Sequence, residues 1–202
     1  MARTGRPRAF DADETLVRAR DLFWSRGYSA TSVQDLVDGL SLQRGSLYGA
    51  FGDKRSLYLK AVALYAAENQ THLQALLAEG PVLPALRRML TDPAALVATP
   101  GPTDTSAPRR GCLIGNTTAE LVPDDDDARA LVAAAYDGFV AIVSEALARG
   151  QAIGDVSRAA TPAAQAQLLL LLFQGLALVS RAGTDPDQLA SAVDVALCAL
   201  KP

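Results

Sequence analysis

The sequence is poor in the side chains on which many catalytic and disulfide-braced proteins depend. Its 202 residues include a single histidine and only two cysteines, Cys112 and Cys198. Two cysteines cannot build a disulfide framework, which indicates a reducing compartment, most simply a cytoplasm. A lone histidine leaves little scope for a base and nucleophile pair, and the phosphate-loop, serine-hydrolase and zinc-protease motifs are absent from the sequence. We therefore predict a protein that is not an enzyme and needs no cofactor.

Uninterrupted runs of strongly apolar side chains are short. The longest, Leu168 to Phe173, is far below the roughly 20 residues that cross a bilayer. The first ten residues lack the apolar core of a signal peptide. We expect neither a membrane span nor export. With 50% of its residues apolar and 20% charged, the chain can still bury a substantial core.

Charge is divided unevenly along the chain. Residues 1–62 hold ten Lys and Arg against seven Asp and Glu, whereas residues 63–202 hold nine against fifteen. The asymmetry is typical of a head that binds a polyanion, attached to an acidic body, although a difference of this size also arises by chance.

Hydrophobic periodicity predicts helix after helix and no convincing strand. Near the N-terminus, two short helices lie between two longer ones. Thr31 and Gln34, three residues apart, predict a capping box at the start of the second helix. Leu47 and Phe51 would face inward from the third helix, and Asp53 would cap the fourth. This order of helices is typical of a helix-turn-helix protein.

Three segments in this region carry a resemblance to a known family. They are LFWSRGYSATSV at residues 22–33, GSLYGAFGDK at residues 45–54 and SLY at residues 56–58. In this order and spacing they resemble the DNA-binding domain of the TetR family of bacterial transcriptional regulators. RRGCLIGNTTAEL at residues 109–121 resembles one branch of that family's regulatory domains. The resemblance implies an all-α fold, with a three-helix helix-turn-helix domain at residues 1–66 and a larger helical ligand-binding and dimerisation domain at residues 67–202.

The resemblance also implies which side chains meet DNA. The third helix would face the major groove, and the starts of the second and fourth helices would hold phosphates through their N–H groups. An arginine at such a position can read guanine and a glutamine can read adenine. The expected DNA-binding residues are Thr31, Ser32, Gln43, Arg44, Gly45, Ser46, Tyr48 and Lys54.

Two positions depart from the family pattern. The family usually has glycine in the turn where this chain has Ser41, and a small capping residue where it has Gln43. A changed turn would rotate the third helix and so alter individual base contacts. The arginine-rich segment at residues 2–8 would either lie in the minor groove or be a disordered terminus.

The rest of the chain predicts further helices joined by a mobile loop at residues 99–108. The four aspartates at residues 124–127 precede a long helix. Because the helix dipole stabilises carboxylates at a helix N-terminus, we interpret them as residues of the helix start and not as a metal site. The helix predicted for residues 162–181 is apolar nearly all round, and the last helix carries an apolar stripe. Because one chain has too few helices to cover both, we expect these two helices to form a homodimer, which would read a near-palindromic DNA operator.

A cavity in this second domain would bind a small-molecule effector and transmit its binding through the fourth helix. The candidate residues are polar or aromatic groups on otherwise apolar helices: His72, Met89, Cys112, Asn116, Tyr136, Phe139 and Gln174. Cys112 follows two arginines at a predicted helix start, which favours a reactive thiolate; Cys198 is expected on the apolar side of the last helix.

Three functions remain open from the sequence. The first is a repressor that leaves its operator when an effector binds. The second is a repressor whose Cys112 thiol senses electrophiles or oxidants. The third, of another class, is a helical dimerisation or adaptor protein that does not bind DNA.

Overall fold

The structure, a computed structural model, describes residues 10–92 and 110–202. These residues form helices and no strand, in agreement with the predicted all-α class. The chain divides into two compact units, with the break between Leu64 and Tyr65. The N-terminal arm at residues 2–8 and the loop at residues 99–108 lie outside the described residues. The helices are α1 (Ala12–Arg26), α2 (Val33–Leu40), α3 (Arg44–Phe51), α4 (Lys54–Ala78), α5 (Val82–Thr91), α6 (Leu113–Glu120), α7 (Asp126–Ile153), α8 (Pro162–Arg181) and α9 (Pro186–Cys198).

The N-terminal unit places α1, α2, α3 and the beginning of α4 around one apolar core. α1 begins after Asp11, whose carboxylate accepts hydrogen bonds from the N–H groups of Asp13 and Glu14. It ends at Gly27, where the φ of 88° suits a residue without a side chain. The buried apolar side chains of this core are Ala19, Phe23, Trp24, Leu36, Leu40, Leu47, Phe51, Leu57, Tyr58, Ala61 and Val62.

Close contact with α1 fixes the position of α2. Gly39 lies against Leu22, so that a Cβ on residue 39 would come within 2.7 Å of the Leu22 Cδ1. Arg18 donates a hydrogen bond of 2.8 Å to the carbonyl oxygen of Gly39. A side chain at residue 39 would therefore push α2 away from α1.

The capping box of α2 lies one residue further along the chain than predicted. The Ser32 hydroxyl accepts a hydrogen bond from the N–H of Asp35 at 3.1 Å, and the Asp35 carboxylate accepts one from the N–H of Ser32 at 2.8 Å. Thr31 is instead fully buried, and its hydroxyl donates to the carbonyl oxygen of Gly27 at 2.7 Å. The prediction that Thr31 and Gln34 form the capping box was wrong. Ser32 and Asp35 have the same spacing, so the spacing rule does not distinguish the two pairs.

The turn between α2 and α3 forms at Ser41, which stands where the family resemblance implies glycine. Ser41 has a φ of 56° and is the one non-glycine residue with positive φ among those that the structure describes. Its N–H donates to the carbonyl oxygen of Asp38, and the N–H of Leu42 donates to that of Val37. These two bonds make a Schellman motif, which ends α2. α3 then begins after Gln43, whose side chain makes no capping hydrogen bond.

In the C-terminal unit, α7 packs on α8, α5 packs on α9, and α6 contacts both α7 and α8. The core contains Leu73, Leu77, Leu86, Met89, Val143, Leu147, Leu169, Leu170, Val193 and Leu197. The long helix that the sequence predicts after the four aspartates, from about Ala128 to Arg149, is longer in the structure. α7 begins two residues earlier, because the Asp125 carboxylate caps it through the N–H of Ala128, and it extends four residues further, to Ile153, where Gly154 in the left-handed conformation ends it.

Two helices of this unit are more apolar than the sequence runs suggested. By length and composition alone, α7 and α8 are each able to cross a membrane. Only 22% of the most apolar 18-residue window of each helix is buried inside the single chain. Core helices of soluble proteins have the same length and composition. The large apolar side chains that stay exposed on these two helices are Ile153 of α7 and Leu168, Leu171, Leu178 and Val179 of α8.

Candidate nucleic-acid interface and cavity

α3 presents polar groups on its exposed side and apolar groups to the core. Leu47 and Phe51 are buried, as predicted. A Cβ added at Gly45 or Gly49 would meet nothing within 4 Å, so that the backbone of α3 is open to close approach. The five residues of this segment predicted to meet DNA are all exposed: Gln43, Arg44, Gly45, Ser46 and Tyr48.

The start of α2 differs from the expected phosphate site. Thr31 is removed from the expected contacts, because its hydroxyl and its N–H are both bonded inside the unit. Ser32 is exposed, but its N–H and hydroxyl both donate to the Asp35 carboxylate. The hydrogen bond from the Ser32 hydroxyl is the main cause of a lowered pKa at Asp35, which also pairs with Arg26 at 2.7 Å. Asp35 therefore occupies both Ser32 donors on which the expected phosphate contact depends.

Lys54 opens α4, and an aromatic ring holds its ammonium group. The Nζ atom lies 4.2 Å from the centroid of the Tyr28 ring. That ring is 4.8 Å from the ring of Tyr58, which is fully buried and meets Phe23 edge-on at 4.9 Å. Because an ammonium group is attracted to the face of an aromatic ring, Tyr28 restricts where the Lys54 charge lies.

The C-terminal unit contains a small cavity of about 50 Å³ between α4, α6, α7 and α8. Its apolar wall contains Leu73, Ile114, Phe139, Leu170 and Phe173. The Phe139 and Phe173 rings stack, with their centroids 5.8 Å apart. Its polar wall contains Asn69, Gln70, Cys112, Tyr136 and Gln174.

Four of the seven predicted effector residues line this cavity: Cys112, Tyr136, Phe139 and Gln174. The other three do not line it. The ring of His72 is bonded through Nδ1 to the carbonyl oxygen of Glu68, one helical turn earlier. Met89 is buried in the core, and Asn116 bonds to the carbonyl oxygen of Arg110 and to the Arg181 guanidinium. The structure therefore does not bring these three residues to the cavity, since a polar or sulfur-containing side chain on an apolar helix also serves packing or helix contacts.

Cys112 lies at the junction of the cavity and α6. It is the residue before the first turn of α6, and its side chain is buried. Gln174 donates a hydrogen bond of 3.6 Å to its Sγ atom. Burial is the main cause of a raised pKa at the neighbouring Tyr65, and also at Tyr136, so both phenols stay neutral at physiological pH. Cys198 is exposed in the single chain, three residues after the exposed Val195 of α9.

Comparison with known proteins accounts for both units. Residues 16–61 match the family described as bacterial regulatory proteins, tetR family. Residues 85–196 match the family described as tetracyclin repressor-like, C-terminal domain, and this match covers more than half of the chain. The protein belongs to the TetR family. It is therefore a DNA-binding transcriptional regulator and not an enzyme, which sets aside an adaptor that does not bind DNA.

Three similar proteins show how far the relationship extends. The regulator YezE of Bacillus subtilis is 30% identical and covers 97% of this chain and 99% of its own length. The repressor ComR of Escherichia coli is 29% identical and covers 92% and 86% respectively. A solved structure of the TetR-family regulator CifR, a cysteine mutant complexed with 26-bp operator DNA, has a TM-score of 0.80 at 28% identity and covers 97% of this chain and 100% of its own.

Sequence reasoning missed three residues of this TetR-family regulator. Tyr28, which holds Lys54, lies in a segment that was used only for the family resemblance. Asn69 and Gln70 line the cavity from α4. The spacing from Asn69 to Leu73 places an amide on the same helical face as a core leucine, and this signal could have found them.

Proposed function

We propose that this regulator is a homodimeric repressor that binds a near-palindromic operator and leaves it when a small molecule fills the cavity. The observation that carries the proposal is an apolar strip on α8. Leu168, Leu171 and Leu178 lie on one helical face and are 50%, 63% and 70% exposed in the single chain. A contiguous exposed apolar strip marks an interface with another protein surface.

A second copy of the chain is the occupant that best fits this strip. Val195 of α9 is also 75% exposed, so that both C-terminal helices offer apolar side chains. A two-fold dimer uses the same patch on each subunit and therefore needs no other partner. In such a dimer the two α3 helices would read half-sites about 34 to 36 Å apart, which requires a near-palindromic operator.

The cavity supports the regulatory part of the proposal. It joins residues of α4, α6, α7 and α8 in the regulatory unit, and α4 begins with Lys54 at the expected phosphate contact. A ligand that favours one arrangement of these helices would change DNA affinity through α4. A coupling free energy of about 1 to 3 kcal/mol would lower that affinity by roughly 5- to 150-fold. Repression is proposed because ComR is named a repressor and CifR was solved on its operator.

The first test is selection of the purified protein on random duplex DNA, followed by a salt titration on the selected site. We expect a near-palindromic site whose affinity falls steeply with salt, since phosphate contacts release counterions. Arg44→Ala should weaken specific binding by about tenfold or more, in line with the loss of a bidentate base contact. Arg88→Ala, at an exposed arginine of α5, is the matched control. If Arg44→Ala leaves the operator affinity within twofold of that of the parent protein, the assignment of α3 as the recognition helix is wrong.

The dimer has a test of its own. Leu178→Glu should give a monomer in light scattering and should lose operator binding, because a buried carboxylate without a partner is costly. Ile153→Glu is the control: Ile153 ends α7, lies off the α8 strip and is 74% exposed, against 70% for Leu178. If both variants have the same oligomeric state and operator affinity, the dimer interface does not include the α8 strip.

A thiol-based response is the second candidate, favoured by the position of Cys112 in the cavity wall next to the Gln174 amide. With N-ethylmaleimide, the thiolate sulfur would bond to one alkene carbon and the other would take a proton. Release of the operator by N-ethylmaleimide should then be lost in Cys112→Ser and kept in Cys198→Ser. Full release from the Cys112→Ser variant would rule out the thiol as sensor.

A further inference from the structure

The cavity wall offers hydrogen bonds but no charge. Among the described residues, none of those that line it is Asp, Glu, Lys, Arg or His. The one phenol among these residues, Tyr136, is neutral because burial raises its pKa, and burial also raises the pKa of Tyr65 beside the cavity. A carboxylate that entered would leave water without meeting a cation, and an ammonium would meet no carboxylate. Either ion would exchange part of its hydration for uncharged groups, which costs free energy.

Two glutamine amides at the wall lie close to glycines. A Cβ on Gly115 would come within 2.5 Å of the Gln174 Oε1, and a Cβ on Gly138 within 2.2 Å of the Gln70 Nε2. Each amide therefore occupies space that any larger residue would take. A few polar groups placed in an apolar pocket select a ligand atom by place as well as by type.

The Gln174 amide donates its hydrogen bond to a weak acceptor, so that a stronger acceptor on a ligand would replace it. Its Nε2 atom reaches the Cys112 Sγ at 3.6 Å, and a thiol sulfur is a poor acceptor. A carbonyl oxygen in the cavity would accept the same N–H group with a shorter and stronger bond. The apolar wall, with the stacked Phe139 and Phe173 rings, would enclose the rest of such a molecule.

The volume limits the size of the occupant. At about 50 Å³ the cavity is small. A branched ketone, aldehyde or ester of few carbon atoms therefore suits it better than a multi-ring compound.

We propose that the cavity binds a small uncharged carbonyl compound, with its oxygen on the Gln174 amide and its alkyl part against the phenylalanines, and rejects the carboxylate of the same shape. The inference rests on the proposed function in that it names the effector class of the same cavity. It concerns binding alone, so it is tested without DNA.

The experiment compares two isosteric probes, 3-methylbutan-2-one and isobutyrate, titrated into the ¹⁵N-labelled full chain. Side-chain amide signals of Asn69, Gln70 and Gln174 report binding by NMR. We expect saturable shifts with the ketone and at least tenfold weaker binding of isobutyrate. Gln174→Ala should weaken ketone binding by about three- to tenfold, the value of one hydrogen bond, whereas Gln167→Ala, at an exposed residue of α8, should not.

Three outcomes would overturn the inference: equal binding of isobutyrate, no saturable shift with the ketone, or equal effects of Gln174→Ala and Gln167→Ala. Gly115→Ala gives a second check, because the added methyl should move the Gln174 amide and weaken ketone binding while leaving the thermal midpoint within a few degrees. If the ketone binds as expected but does not release the operator, the effector role under the proposed function fails and the ligand class stands.

Discussion

Replacing Ser41 with glycine should stabilise the protein. Ser41 holds a φ of 56°, and an L-residue in the left-handed region costs about 1 to 2 kcal/mol. Glycine would remove that cost but would give the unfolded chain more freedom, which offsets about 0.4 to 1 kcal/mol. The net gain is about 1 kcal/mol, or roughly 2 to 4 °C in Tm for a chain of this size. The hydrogen bonds from the N–H groups of Ser41 and Leu42 are unaffected, since both come from the backbone.

The assay is urea unfolding followed by circular dichroism, with Ser41→Ala as the matched control. The alanine variant also lacks the hydroxyl but keeps the Cβ, so it should stay within about 0.5 kcal/mol of the parent protein. A glycine variant no more stable than the alanine variant would refute the reasoning, because it would show that the left-handed turn is not strained.

Three further predictions concern the two sites. Tyr28→Leu should weaken operator binding and flatten its salt dependence, because Lys54 loses the ring that holds its charge; binding titrations at several salt concentrations measure both. Asp53 caps α4, and a hydrogen bond from a backbone N–H lowers its pKa, so its stabilisation is present above the unfolded pKa and is lost as the pH falls through the folded value. Asp53→Asn should therefore reduce the loss of stability between about pH 5 and pH 3 in urea titrations. Gly111→Ala should destabilise the chain by about 1 to 3 kcal/mol in the same assay, because residue 111 has a φ of 65° and its Cβ would approach the Ala177 carbonyl oxygen to 3.0 Å.

The DNA-binding unit could be predicted closely from the sequence because its signals are local. Leu47 and Phe51 are four residues apart on one short helix, so the exposed positions of Arg44 and Tyr48 follow from helical geometry alone. The error at Thr31 was also local, since two overlapping pairs met the same spacing rule. Only their burial in the folded unit distinguishes them.

The cavity could be predicted only in part, because its wall comes from four helices far apart in sequence. Composition identified Cys112 and Gln174 as polar groups on apolar helices, but the same argument also selected Met89 and Asn116. Whether such a group faces a cavity, the core or another side chain depends on how α6, α7 and α8 pack. That packing depends on contacts between residues far apart in sequence, which rules on the spacing of neighbouring residues do not describe.

The capping of α2 by its own Asp35 has a thermodynamic consequence for DNA recognition. Because the capping box satisfies the N–H groups of Ser32 and Asp35, α2 does not depend on a phosphate to form. We therefore expect no folding of α2 to accompany DNA binding. Calorimetry of operator binding should accordingly show a modest negative heat-capacity change, far from the large values of coupled folding.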